Sequence, residues 1–243
     1  MKQTIFTITE NTALTATVYK MVLVGDTDGI TTGQFVNILL DGLYLRRPIS
    51  VCDCQGNTLT LLYKVVGKGT AQMAAMTAGQ TLDVLTGLGN GYDLSKAGDH
   101  PLLLGGGVGV PPLYMLARQL REQGKAVSVV LGFNTADEVF YEQEFKDLGC
   151  DVTVTTADGS HGVKGFVTDA LPAEYSYFYT CGPEPMLKAV YRATNTSGQF
   201  SFEERMGCGF GACMGCSCKV ITGYKRICKD GPVLEKEEIL WDA

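Results

Sequence analysis

The sequence lacks the features of several protein classes. Its 243 residues include only two histidines, His100 and His161, and no nucleophile or metal-ligand pattern surrounds either of them, so hydrolytic chemistry is not indicated. No uncharged apolar run reaches the roughly eighteen residues of a membrane-spanning helix. Residues 1–20 alternate polar and apolar side chains rather than forming the apolar block of a signal peptide. We therefore expect a cytoplasmic protein.

Basic residues are also scarce. The chain has 20 Lys and Arg against 26 Asp and Glu, which gives a net charge of -6. It therefore lacks the basic face with which proteins bind nucleic acids or anionic membranes, and any phosphate site must be local. A hydrophobic content of 45% is that of an ordinary globular protein, and the length predicts two domains with a small appendage.

Three segments of different character follow one another. Residues 1–98 contain short β-like runs such as "TLTLLYKVV" between Gly, Asp and Asn turns, which predict an antiparallel barrel or sandwich. Residues 99–199 alternate apolar strands with amphipathic helices, which predicts an α/β domain around a parallel sheet. Residues 200–243 are rich in cysteine and glycine but poor in apolar periodicity, so we expect a small cluster-binding domain with no core of its own.

The most specific pattern is formed by cysteines. The chain has nine, an odd number that favours metal ligands and isolated thiols over a disulfide scaffold. Cys208, Cys213 and Cys216 are spaced C-x4-C-x2-C, and Cys228 follows, as in plant-type [2Fe–2S] proteins. Glycines let the backbone curl around such a cluster and aim N–H groups at its sulfur atoms; here they are Gly207, Gly209, Gly211 and Gly215.

Zinc is the alternative metal for these cysteines. Four thiolates also form structural zinc sites, and the corresponding function would be a zinc-stabilised, non-enzymatic module that senses a nucleotide. Zinc ribbons favour two C-x2-C knuckles, however, and only one is present here. Cys218 is a surplus thiol at the start of a predicted strand, where it is either buried as a small apolar side chain or replaces a neighbour as a ligand.

Three motifs indicate phosphate binding. "LLLGGGVGVPPL" at residues 102–113 has the strand, glycine turn and helix order of a dinucleotide site, with Pro111 in place of the third glycine. The same order also occurs in α/β proteins that bind no nucleotide. "RRPIS" at residues 46–50 offers guanidinium groups for a diphosphate, with a solvated strand edge as the alternative. "GKGT" at residues 67–70 opens a helix-like stretch and predicts a second phosphate cradle.

The choice of nicotinamide cofactor is indicated by the stretch after the second α/β strand. This stretch reads "GFNTADEVF" and contains no Arg or Lys that could neutralise a 2′-phosphate. NAD is therefore favoured over NADP. Asp137 and Glu138 in the same stretch either hold ribose hydroxyls or serve as acidic residues at a helix start.

Taken in order, these motifs carry a family resemblance. "RPIS", "GKGT", "GGGVGVPPL", "CGPEPM" and the terminal cysteine pattern resemble the ferredoxin reductase superfamily, and most closely the iron-sulfur flavoprotein chains of the NAD-linked B-type dihydroorotate dehydrogenases, which are built from two kinds of chain. The resemblance runs from about residue 5 to the end, and "MGCGFGACMGCSCKV" is its most specific part. It implies a FAD-binding β-barrel, a doubly wound NAD-binding α/β domain and a terminal [2Fe–2S] domain.

The resemblance also implies particular cofactor contacts. Arg47 would contact the FAD diphosphate, Ser50 would lie near the reactive edge of the flavin, and Ile49 stands where the wider superfamily commonly has a tyrosine. The complete implied set is Arg47, Pro48, Ile49, Ser50, Tyr63, Lys64, Val65, Gly69 and Thr70 for FAD; Gly105, Gly106, Gly107, Gly109, Cys181, Gly182 and Pro183 for NAD; and Cys208, Cys213, Cys216 and Cys228 for the cluster.

The function implied by the resemblance is electron transfer in pyrimidine biosynthesis. Electrons would pass from an FMN-containing catalytic partner that oxidises dihydroorotate, through [2Fe–2S] and FAD, to NAD, in a heterotetramer with two copies of each chain. The substrate site would lie on the partner, and no catalytic side chain is expected here because the cofactors carry the chemistry. A related electron-transfer chain that links NAD(P)H to ferredoxin, sulfur or hydrogenase partners is the alternative.

Overall fold

Six antiparallel strands close into a barrel in the first part of the chain. The computed structural model describes residues 1–241, and the barrel order is β1-β2-β5-β4-β3-β6. Alternate side chains, such as Leu82 and Val84, point into the barrel and pack with Phe6 and Met21. The closed barrel confirms one of the two predicted architectures. The elements are β1 (Lys2–Ala13), β2 (Val18–Val24), β3 (Phe35–Ile38), β4 (Arg47–Gln55), β5 (Thr58–Lys64), α1 (Lys68–Ala74) and β6 (Thr81–Leu88).

A parallel sheet flanked by helices follows the barrel. Its elements are β7 (Pro101–Gly106), α2 (Pro112–Glu122), β8 (Ser128–Phe133), α3 (Glu142–Asp147), β9 (Asp151–Thr156), β10 (Val163–Lys164), β11 (Tyr177–Cys181), α4 (Glu184–Ala193) and β12 (Gly198–Ser201). The central strand β7 is buried along its whole length, as expected for a parallel sheet covered on both faces. The sheet continues from β7 through β8 on one side and through β11 on the other. The strand order therefore reverses direction beside β7, and such a switch point creates a crevice at the carboxyl ends of the strands.

The last segment packs between these two units. A hairpin of β13 (Ser217–Val220) and β14 (Gly223–Arg226) is followed by β15 (Val233–Glu235), which joins the large sheet antiparallel to β12. The apolar side chains of this segment share a core with Phe35 and Leu88 of the barrel. The domain ranges 1–98, 99–199 and 200–243 stay predictions, and the large sheet draws on residues from both sides of position 200.

The barrel and the α/β unit are joined by a largely buried ion pair. Arg118 on α2 donates to Asp53 of β4 through Nε at 3.1 Å and Nη2 at 2.8 Å, and to the Cys54 carbonyl at 3.2 Å. Both side chains are mostly shielded from solvent. The pair therefore adds a polar link to the apolar core that Val18, Cys52 and Leu62 of the barrel share with the α/β unit. None of the helices within residues 1–241 is long and apolar enough to cross a membrane.

Replacing Arg118 with methionine is expected to lower the free energy of unfolding by about 3 kcal/mol, because Asp53 would remain as a shielded charge without its partner. Denaturant unfolding followed by circular dichroism measures this loss. Arg118 also pairs with the exposed Glu122, so Glu122→Gln is the matched control and should cost less than about 1 kcal/mol. Equal losses in the two variants would contradict the assignment.

Candidate cofactor sites

A cavity of about 390 Å³ lies between the barrel and the C-terminal segment. Strand β4 supplies Arg47, Pro48, Ile49 and Ser50, and the opposite wall is formed by residues that follow β12. The structure thus brings together seven of the nine residues that the resemblance assigns to FAD: Arg47, Pro48, Ile49, Ser50, Tyr63, Lys64 and Thr70.

The two arginines of the "RRPIS" motif have different positions. Arg46 Nη1 donates to the backbone carbonyls of Asn37 at 3.2 Å and Asp83 at 3.1 Å, and it pairs with the Asp83 carboxylate at 2.8 Å. Arg46 therefore ties β4 to β3 and β6. Arg47 lines the cavity and donates to the Leu45 carbonyl, which leaves its guanidinium as the one placed to meet an anionic ligand.

The "GKGT" turn packs against the Arg47 side chain. Thr70 Oγ1 accepts hydrogen bonds from the backbone N–H groups of Val66 at 2.9 Å and Gly67 at 3.2 Å, which shapes the start of α1. Gly69 does not line the cavity; it lies against Arg47, and a Cβ there would overlap the guanidinium. Val65 does not line the cavity either, and its N–H donates to the carbonyl of Thr17 at 2.8 Å.

Tyr63 forms a rigid part of the same wall. Its ring stacks on Tyr19 with a centroid distance of 5.9 Å, and its hydroxyl donates to Asn11 Oδ1 at 2.9 Å. Burial raises the pKa of Tyr63 to about 12, so the side chain is neutral at physiological pH. Aromatic surface for a flavin comes from Tyr63, Phe35 and Phe202, whereas Ile49 supplies an aliphatic one.

A second cavity, of about 530 Å³, lies at the carboxyl ends of the parallel strands. Five of the seven residues assigned to NAD line it: Gly106, Gly107, Gly109, Gly182 and Pro183. Thr155 at the end of β9 also lines it, and its buried hydroxyl has no hydrogen-bond partner among the described residues. Buried hydroxyls are normally paired, so a polar ligand in this cavity fits the structure.

Gly105 and Cys181 do not line this cavity. A Cβ at Gly105 would press on Leu113 and Val110, so this glycine lets β7 pack closely against the chain leading into α2. Cys181 is buried, and burial raises the pKa of its thiol. The Cys181 backbone carbonyl lies beside Gly109, where a Cβ would overlap it. Both residues therefore shape the glycine turn without lining the cavity.

The acidic end of the second cavity is formed by Glu138. Its carboxylate accepts from the backbone N–H of Asn134 at 3.1 Å and from the Asn134 amide at 2.7 Å. Asp137 does not line the cavity, and Lys64 is the only Lys or Arg among the described residues that do. Because a fixed carboxylate repels a 2′-phosphate, the geometry agrees with the preference for NAD over NADP.

The two cavities meet at a junction. Lys64, Val108 and Glu203 line both of them. Glu203 is exposed, yet nearby protein partly desolvates its carboxyl and raises its pKa. Sequence reasoning missed Glu203, although its place directly after the parallel strand β12 was a usable signal, since ligands bind at the carboxyl ends of such strands. A ligand in one cavity can therefore contact a ligand in the other.

The cysteine loop carries its own hydrogen-bond donors. Cys208 Sγ accepts from the backbone N–H groups of Ala212 at 3.2 Å and Cys213 at 3.4 Å. Burial acts to raise the pKa of Cys208, but backbone N–H groups outweigh it and lower this pKa to about 6. Gly209 and Gly211 adopt positive φ angles of 79° and 92°, which the curled loop requires. A thiolate is thus stabilised at the first predicted ligand.

The four predicted ligands lie in one region. Cys208 neighbours Cys213, and Cys216 Sγ accepts from the backbone N–H of Cys228 at 3.4 Å. Burial, followed by the neighbouring Cys216, raises the pKa of Cys228 to about 12. As the side chains stand, no group of three or more His, Cys, Asp or Glu within residues 1–241 is gathered closely enough to hold a metal ion. A Cβ at Gly207 would lie 3.3 Å from Cys213 Sγ, so the glycine leaves room beside this thiol. Four cysteines in one region suit an iron-sulfur cluster whose binding draws its ligands together.

Serine in place of any of Cys208, Cys213, Cys216 or Cys228 is expected to remove or alter the cluster, because each is predicted to supply one thiolate. Iron and acid-labile sulfide analysis with visible absorbance measures the outcome. Cys218 is the matched control: it is half-buried on β13, and burial raises the pKa of its thiol, so Cys218→Ser should keep the cluster. The same holds for serine at Cys52 or Cys54. A bleached Cys218→Ser beside an intact Cys216→Ser would refute the ligand assignment.

Comparisons with known proteins agree with this arrangement. Residues 203–240 match the iron-sulfur cluster binding domain of dihydroorotate dehydrogenase B, and residues 103–192 match the oxidoreductase NAD-binding domain. A solved structure described as "NADH-dependent reduced ferredoxin-NADP oxidoreductase" has a TM-score of 0.88 and 32% identity, over 98% of this chain and 90% of that one. A ferredoxin NADP+ reductase from Neisseria gonorrhoeae has a TM-score of 0.69 at 17% identity, over 79% of this chain and 90% of that one, and shows the fold alone.

Curated relatives are similar over nearly the whole chain. The relative from Fusobacterium nucleatum subsp. nucleatum is 47% identical over 93% of this chain and 94% of its own length. The relative from Geobacillus sp. (strain WCH70) is 42% identical over 99% of both chains. Both are named "Dihydroorotate dehydrogenase B (NAD(+)), electron transfer subunit". The chain therefore belongs to the family of the electron transfer subunits of NAD(+)-linked dihydroorotate dehydrogenase B.

Proposed function

We propose that this chain carries electrons from a dihydroorotate-oxidising partner to NAD. The observation that supports it best is the continuity of the three sites. Phe35 lines the barrel cavity and packs in the same apolar cluster as Cys216 and Cys228, while Lys64 and Glu203 line both the barrel cavity and the nucleotide cavity. A cluster, a flavin and a nicotinamide bound at these places would be neighbours in that order.

We assign each cofactor its own set of residues. Arg47 and the start of α1 would hold the FAD diphosphate, the glycines after β7 would admit the NAD pyrophosphate, and four cysteines would hold the cluster. When bound, FAD exchanges a hydride with NAD and single electrons with a [2Fe–2S] centre. The chain itself orients the rings: Tyr63 and Ile49 form the wall of the barrel cavity, and Val108 at the junction contributes to both cavities.

The partner surface is proposed to surround the cysteine loop. Large apolar side chains are exposed on this segment, among them Phe210, Met214, Ile221 and Tyr224. Such a concentration is typical of a protein interface. We propose an FMN-containing catalytic chain as the occupant, in an assembly of two copies of each chain. The cytoplasm is the proposed location, and the five free cysteines that are not proposed as cluster ligands support it, since thiols persist in a reducing compartment.

Purification without oxygen tests the cofactor assignment. The expected preparation contains about one FAD and one [2Fe–2S] cluster per chain, with the absorbance of both. With the dihydroorotate-oxidising partner added, dihydroorotate should reduce NAD, and NADP should be a poor substitute. A colourless preparation that contains zinc and neither flavin nor sulfide would refute the proposal and favour the zinc-stabilised nucleotide module.

The likeness to the NADH-dependent reduced ferredoxin-NADP oxidoreductase structure favours a second candidate function. In that case the chain would link a nicotinamide nucleotide to ferredoxin. The two candidate functions differ in the electron donor. One assay measures reduction of NAD by dihydroorotate in the presence of the catalytic partner, and the other measures reduction of NAD by reduced ferredoxin. Turnover with ferredoxin but not with dihydroorotate would favour the second candidate.

A further inference from the structure

Strand β3 forms the wall between the barrel cavity and the cysteine loop. Phe35 and Asn37 lie two residues apart on this strand, and side chains at that spacing share one face. Phe35 lines the barrel cavity and packs in the apolar cluster with Cys216 and Cys228. Asn37 contacts the loop at Cys208. A single strand therefore touches both the proposed flavin site and the proposed cluster ligands.

Asn37 is a buried polar side chain with an incomplete set of partners. It is 1% exposed, and its Nδ2 donates to the backbone carbonyl of Cys208 at 3.3 Å. Its Oδ1 is buried and has no hydrogen-bond partner among the described residues. An amide that leaves one acceptor unpaired opposes folding, and an apolar side chain of the same size would avoid that cost. Barrel stability therefore does not account for an amide at this position.

The loop rests directly on this amide. Gly209 has φ of 79°, and a Cβ at that position would overlap the Asn37 amide. The next residues of the same loop, Ala212 and Cys213, donate their backbone N–H groups to Cys208 Sγ. The bond from Asn37 therefore fixes the backbone turn that aims these donors at the sulfur.

We propose that Asn37 is a positioning residue for the iron-sulfur loop and that it sets the reduction potential of the cluster. It acts through Cys208 and does not touch the metal. Hydrogen bonds to cluster sulfur favour the more negative, reduced form, so a loop that loses its anchor should have weaker N–H···S bonds and a lower potential. The inference rests on the proposed cluster ligands.

The test compares Asn37→Leu with Asn90→Leu in protein prepared without oxygen. Leucine has the same number of side-chain heavy atoms as asparagine and the same branch at Cγ, but it cannot hydrogen-bond. Asn90 makes a comparable link from the barrel to the C-terminal segment, with Nδ2 donating to the Val233 carbonyl at 2.6 Å and Oδ1 accepting from the Val233 N–H at 2.9 Å. Asn90 Nδ2 also reaches the Asp230 carbonyl at 3.4 Å, but Asn90 has no bond to the loop at Cys208, so Asn90→Leu reports general loosening of the segment.

For Asn37→Leu we expect retained FAD, an unchanged or higher thermal midpoint, a more negative cluster midpoint potential and an altered electron paramagnetic resonance spectrum. Iron loss to a chelator should be about tenfold faster, the factor expected for one hydrogen bond. Asn90→Leu should leave the potential and the spectrum unchanged.

Two results would overturn the proposal: a wild-type potential, spectrum and rate of iron loss in Asn37→Leu, or equal shifts in both variants. Asn37→Met provides a second apolar replacement if leucine prevents folding. A wild-type chain without a cluster would instead refute the proposed function, so the two failures are distinguishable.

Discussion

Cys213→Ser is expected to separate the two electron paths of this chain. Reduction of a dye by NADH should continue at close to the wild-type rate, because the barrel and nucleotide cavities meet at Lys64, Val108 and Glu203 without the cysteine loop. Reduction of NAD by dihydroorotate in the complex with the partner should fall to background. Removing a relay centre interrupts the electron route between the partner and FAD. The size of this loss of activity therefore need not follow the energy of any single contact.

The choice of Cys213 follows from its exposure. Cys216 and Cys228 are buried in the apolar cluster shared with the barrel, whereas Cys213 is exposed, so its replacement disturbs packing least. Both activities are measured on the same preparations, together with flavin, iron and sulfide content, and Cys218→Ser is the control. Dihydroorotate-dependent NAD reduction that persists in a cluster-free variant would show that the cluster is not the relay. Equal loss of both activities with FAD retained would contradict the proposed order of dihydroorotate, partner flavin, cluster, FAD and NAD.

Gly109→Ala should impair NADH use while leaving the flavin and the cluster in place. The added Cβ would overlap the Cys181 carbonyl, which is backbone and cannot move without shifting β11. Overpacking of this kind costs roughly 1–3 kcal/mol of folding stability. Because the displaced backbone belongs to the proposed nucleotide turn, we expect the apparent affinity for NADH to weaken by about tenfold, which corresponds to roughly 1.4 kcal/mol. The KM for NADH in dye reduction and direct titration of NADH binding both measure this effect.

Gly105→Ala is the matched control for that substitution. Gly105 does not line the second cavity, and its Cβ would press on the side-chain ends of Leu113 and Val110, each 3.0 Å away. It should therefore change NADH binding much less than Gly109→Ala does, with equal FAD and iron content in the two proteins. Similar KM values for wild type and Gly109→Ala would contradict the placement of the nucleotide at this turn.

Features that depend on short spacings could be predicted from the sequence. The C-x4-C-x2-C spacing indicates the cluster type because adjacent ligands must come from one curled loop. The order of strand, glycine turn and helix indicates the nucleotide turn, because these elements are consecutive in the chain. The structure places Gly106, Gly107 and Gly109 at the second cavity, and the family comparisons confirm the NAD-binding and iron-sulfur domains. The individual site residues stay predictions for the experiments above.

Other features depend on which distant segments meet, and only the tertiary structure decided them. Closure of the barrel separates the roles of Arg46, which ties strands together, and Arg47, which faces the cavity. The return of β15 to the large sheet brings the C-terminal segment against β3, where Phe35 and Asn37 lie far from the cysteines in sequence. Local spacing encodes geometry over a few residues, whereas these contacts follow from strand pairing and packing across the whole chain, for which no short motif exists.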